Sequence, residues 1–169
     1  MKGLILQNTL IKQAEAQVEQ RLKEGVREPY NRIVVAGMKY AMKGGPESLL
    51  AKLKDSQDPI TDAVKGAIGV VGLLRRAAKG AMPVDALVPA AMTLALQALD
   101  FLEKAGVMKI GKAELDQATQ LFVETIMPLL GVTPDKMQQI TGKVTDIMQD
   151  PEKMRQLQMP QQGAQNVPA

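Results

Sequence analysis

A chain of 169 residues with 46% apolar side chains is long enough for one domain with a buried core, and short for two. It contains no Cys and no His, which excludes disulfides and thiolate chemistry and removes the commonest general base and metal ligand, so any catalysis falls to Asp, Glu, Lys, Ser, Thr or Tyr. The net charge of +3 is uneven: residues 1–54 carry ten Lys and Arg against five Glu, the signs balance from Asp55 to Ile110, and acids slightly exceed bases beyond, so the N-terminal third is the place for contact with nucleic acid, anionic lipid or an acidic partner.

Tyr30, Tyr40, Phe101 and Phe122 are the only aromatic residues, and there is no Trp. Ala, Leu and Met favour helix, whereas strands draw on β-branched and aromatic residues. The expected fold is therefore all-α, an irregular bundle of five to six helices with a flexible C-terminal tail. One helical domain is expected over 1–150, with a short helical piece and the tail over 151–169. The start, MKGLILQNTLIKQAEAQ, has an apolar patch broken by Gln7, Asn8 and Thr9 and does not read as a signal peptide.

The first helix is expected from about Leu4 to Glu24. Leu4, Ile11 and Val18 recur every seven residues, with Lys12, Glu15, Glu19 and Lys23 on the opposite face. That narrow stripe resembles a coiled-coil seam, and residues 1–25 read as an extended assembly helix. Glu15 and Glu19 read as exposed partners of the neighbouring lysines. Prolines then mark helix starts, since the first helical N–H needs no partner. A second helix is expected over Pro29–Lys43, stopped by Gly44 and Gly45, and a short one over Pro46–Lys54. A third is expected over Pro59–Lys79, capped by Asp58 and ended by Gly80. The fourth, PVDALVPAAMTLALQALDFLEKAG, is polar between Ala86 and Leu99 only at Thr93 and Gln97. Asp85 and Asp100 bracket it about 22 Å apart, too short for a bilayer core, where Asp is costly. It reads as a central helix buried by its neighbours, with Pro89 in its first turns or bending it. The fifth is expected over Lys112–Ile126 and the sixth over Pro134–Gln149.

In KGAIGVVGLLRRAAKGA, residues 65–81, Gly66, Gly69 and Gly72 fall at every third position. Each costs about 1 kcal/mol in helix propensity, so the stripe calls for a compensating role. It reads as a face for close helix packing, as a membrane-active amphipathic helix flanked by Lys65, Arg75, Arg76 and Lys79, or as a hinge. GVMKIGKA, Gly106–Ala113, has the glycine spacing of a phosphate loop, but Ala113 replaces the magnesium-binding hydroxyl and the preceding element is a helix, so the match is rejected. Phosphate or lipid contact falls to Lys39, Lys43, Lys52 and Lys54 in the basic third, and to Arg75 and Arg76. No aromatic stacking platform and no Arg-loaded helix mark a nucleic-acid reader. No converging acids suggest a metal, and no cofactor is expected.

A small Ala-, Gln- and Met-rich helical chain without Cys or His, ending in MRQLQMPQQGAQNVPA, resembles small virion structural proteins of tailed bacteriophages, of the internal (ejection) or head-to-tail connector type. The resemblance lies in overall composition and carries over no functional residue. It implies many copies in a ring or stack, other structural proteins as partners, a virion location, and contact with DNA or a bacterial membrane during infection. The expected function is a non-enzymatic, self-assembling structural protein whose assembly surface is Leu4, Ile11 and Val18 together with Gly66, Gly69 and Gly72. Two alternatives stand beside it: a membrane-active protein that inserts the 59–102 hairpin, and a small helical adaptor, cytoplasmic if not part of a virion.

Overall fold

A computed structural model describes residues 7–45, 47, 51 and 56–131. The described residues form five α-helices and no strand: α1 (Thr9–Gln20), α2 (Arg27–Ala41), α3 (Pro59–Ala77), α4 (Val84–Lys104) and α5 (Lys112–Leu129). This is the all-α class expected of a chain so rich in Ala, Leu and Met and so poor in aromatic residues. Leu4, Lys52, Lys54, all of the expected helix at Pro46–Lys54 except Glu47 and Ala51, the expected helix at Pro134–Gln149, and the tail lie outside the described residues. The chain divides into a compact body ending at Ile126 and a second unit beginning at Met127.

The body is organised around α4. α3 packs on α4 most extensively, α2 and α1 cover further sides, and α2 also meets α3. A helix apolar on most sides has to be enclosed, and α4 buries Ala86, Leu87, Ala90, Ala91, Leu94, Ala95, Leu96, Leu99 and Leu102. By length and composition alone α4 could cross a membrane, with a mean hydropathy of 1.4 over its most apolar 18 residues, but 61% of that stretch is buried within the fold. It is the core helix its sequence suggested. Gly37 of α2 faces Leu94 of α4, and a Cβ there would require the Leu94 side chain to shift.

The helix ends show which local signals dominate. α1 begins at Thr9 rather than Leu4, because Asn8 is extended and its Oδ1 accepts the N–H groups of Leu10 and Ile11 at 2.9 and 3.1 Å. It ends at Gln20, short of Glu24. α2 begins at Arg27, two residues ahead of Pro29, which thereby occupies a first-turn position whose N–H needs no helical partner. At α3 the expectation holds: Asp58 accepts the Thr61 N–H at 3.1 Å and Pro59 opens the helix. α3 stops at Ala77 rather than Lys79, since Lys79 takes a left-handed φ of 50°. There the Gly80 N–H reaches the Arg75 carbonyl and the Lys79 N–H the Arg76 carbonyl, at 3.0 and 2.9 Å. α4 closes the same way, with Gly106 in the left-handed position at φ 70°. Pro89 sits in the second turn of α4.

Candidate assembly surface

Behind any surface lies the polar architecture that holds it. Thr93, Gln97 and Asp100 are 1, 7 and 2% exposed. Their spacing of four and three residues puts them on one face of α4, and each engages a different element. The Thr93 hydroxyl shares a hydrogen bond of 2.8 Å with the Tyr30 hydroxyl of α2. The Gln97 side-chain amide donates to Glu15 Oε1 of α1 at 2.8 Å. Asp100 Oδ1 accepts the N–H groups of Gln7 and Asn8 at 3.0 and 3.1 Å, and its Oδ2 lies 2.6 Å from Lys104 Nζ. The Asn8 side chain continues outward, donating to Glu103 Oε2 and the Ile110 carbonyl at 2.7 and 2.8 Å. The seam thus fastens α2, α1, Gln7 and Asn8 ahead of α1, and the α4–α5 connection to one helix.

The charges in this seam are set by what surrounds them. Burial alone would raise Asp100, but the Lys104 ammonium and the N–H groups of Asn8 and Gln7 outweigh it and hold the carboxyl below its ordinary value. Glu15 moves the other way: burial raises it, the Gln97 amide only partly offsets this, and Glu19 and Asp100 add like charge. Burial also raises the Tyr30 hydroxyl, against the Thr93 bond. Gln97 Oε1 is buried and has no hydrogen-bond partner among the described residues. Glu15 is therefore not the exposed ion-pair partner expected of it; it is half-buried and turned towards α4. The 93–97–100 spacing inside the most apolar helix was the available signal for the seam, and the expected stripes did not use it.

The expected assembly residues divide. Ile11 has no exposed surface and Val18 is half-buried. The centre of the Leu4–Ile11–Val18 stripe therefore belongs to the protomer's own core, because Asn8 docks on Asp100 and turns that face of α1 inward. The glycines lie on the other side of the question. α3 turns Ile60, Ala63, Val64, Ala67, Ile68 and Val71 inward. Gly66 and Gly69 are exposed, Gly72 is partly so, and a Cβ at any of the three would meet nothing within 4 Å. Leu73 is 40% exposed beside them. The glycines thus serve no close packing among the described residues. Along one flank runs an apolar groove of about 220 Å³ between α2, α3 and α4, lined among others by Met38, Tyr40, Asp62, Gly66, Val70 and Gln97.

Among the described residues, the basic side chains singled out by the sequence do not converge. Lys39 and Lys43 are exposed at the end of α2, which lies beside the first half of α3. Arg75, half-buried, and Arg76, exposed, sit at the other end of α3, about 14 Å beyond Gly66 along the helix. In the rejected phosphate-loop match, the Gly111 N–H is engaged by Glu114 Oε2 at 2.9 Å, a helix-capping arrangement. Among the described residues no three acidic side chains group as a metal site. No family model matches the chain, and no curated protein or solved structure matches it.

Proposed function

We propose that this protein is a non-enzymatic, self-assembling helical structural protein. The observation that carries the reading is the outer face of α3, where three glycines and Leu73 are left open among the described residues. Three glycines weaken an isolated helix by about 3 kcal/mol in total, a cost that a contact between chains offsets. The polar groups buried on α4 join one helix to another within the protomer, which leaves the outer face of α3 as the surface for contact between chains. The compositional resemblance to small virion proteins of tailed phages agrees with it and makes a particle component the natural setting. Native mass spectrometry of the full chain over a concentration series tests the proposal. A defined oligomer that grows with concentration is expected; a monomer throughout would falsify it.

A further inference from the structure

Resting on that reading, the geometry points to one mode of contact: two copies of this chain pair through the outer faces of α3, antiparallel and related by a two-fold axis at Gly69. Gly66 and Gly72 stand three residues to either side of Gly69, and Asp62 and Arg76 stand seven residues to either side. Seven residues is close to two helical turns, so Asp62, Gly69 and Arg76 fall nearly on one line, with the other glycines flanking it. Asp62 and Arg76 are exposed, and neither forms an ion pair among the described residues. An isologous contact requires a surface complementary to itself. Here the two-fold sets Asp62 of each copy against Arg76 of the other, at both ends of the contact.

The charges choose the direction. Asp58 and Asp62 lie at the start of α3 and Arg75 and Arg76 at its end. Lys65 is exposed one turn after Asp62, so the direction is carried by Asp62 and Arg76: parallel pairing would set each on its own kind, whereas antiparallel pairing matches them and also opposes the helix dipoles. The same two-fold lays Leu73 of the second copy over Gly66, the glycine that borders the apolar groove. The 40% of Leu73 that stands in water is thereby covered at a place where no Cβ obstructs it. A single helix pair is at the small end of stable interfaces, so a dissociation constant on the order of micromolar is expected.

Because the chain contains no Cys, Gly69→Cys introduces a single thiol on the proposed axis, facing its own copy. Under mild oxidation it should cross-link to a dimer at least about tenfold faster than Gln13→Cys, an exposed control on α1. Asp62→Arg and Arg76→Asp should each weaken dimerisation on the order of tenfold by creating like-charge pairs, and the double variant Asp62→Arg/Arg76→Asp should restore it. Both positions are exposed, and circular dichroism confirms that each variant is folded. If the wild-type chain oligomerises but Gly69→Cys cross-links no faster than the control and the charge reversals have no effect, this pairing is wrong while self-assembly stands on another surface. A wild-type chain that stays monomeric overturns both.

Discussion

α3 and α4 pack against each other along the body, yet they handle their exceptional positions in opposite ways. α4 is apolar and buries three polar side chains, each engaged by a different part of the chain. α3 is amphipathic and leaves three glycines outward, where an added Cβ would meet nothing within 4 Å among the described residues. A buried polar group costs free energy unless it is paired, so one that persists has to be used within the fold. A glycine on an open helix face costs propensity and returns nothing inside the protomer. The contrast teaches that α4 specifies how the described body is put together, and that nothing among the described residues explains the outer face of α3.

The sharpest way to break that contrast is at Asp100. Asp100→Ala removes the acceptor for two N–H groups and the partner of Lys104, all at a site 2% exposed. A loss of about 3 kcal/mol is expected, measured by urea unfolding. Because the seam lies away from α3's outer face, any oligomer that the wild-type chain forms should keep its stoichiometry under folding conditions. A variant that loses assembly while keeping its stability would contradict the division of labour between the two helices.

A smaller and opposite effect belongs to Glu15. Its carboxyl is raised, so the fold disfavours its charged form; this contribution to stability improves as pH falls from neutral through the raised value. Asp100 is lowered, so its contribution is present above the ordinary carboxylate range and disappears as pH falls through its own lower value. Mild acidification should therefore first strengthen the fold through Glu15, and further acidification weaken it through Asp100. Glu15→Gln separates the two. The new amide can accept from Gln97 and donate to Gln97 Oε1, which otherwise has no partner among the described residues. A gain of about 1 kcal/mol at neutral pH is expected, with the initial rise on acidification gone. Thermal unfolding followed across pH measures both, and a variant less stable than wild type at neutral pH counts against this account of the seam.

Much of this was legible in the sequence, and the failures share a cause. The all-α class, the central burial of the fourth helix, the Asp58–Pro59 start and the Gly106 stop follow from local composition and capping. The extent of the first helix and the role of its stripe do not. Asn8 caps α1 because residues 7 and 8 are held by Asp100, some ninety positions away, and heptad spacing cannot distinguish a seam facing another chain from one facing its own core. Glu15 was misplaced for the same reason: its partner is Gln97 of α4. The glycine stripe was visible from spacing alone. Its openness was not, because that depends on which side of α3 meets α4.

The smallest effect tests whether α3 is optimised for its own stability. Lys79 occupies the left-handed position that closes the helix, with φ 50°, where glycine is the usual residue. Its side chain costs about 1–2 kcal/mol in that conformation. Glycine would return part of this through a more disordered unfolded chain. Lys79→Gly should therefore raise stability by only about 0.5 kcal/mol, read as a small increase in the unfolding midpoint. It also removes a positive charge from the basic end of α3. If that charge contributes to attraction between copies, dimerisation should weaken slightly at low salt while the protomer becomes more stable. Stability and assembly moving in opposite directions at one residue is what a helix built for both its own core and a neighbour predicts; movement in the same direction would place Lys79 outside the contact.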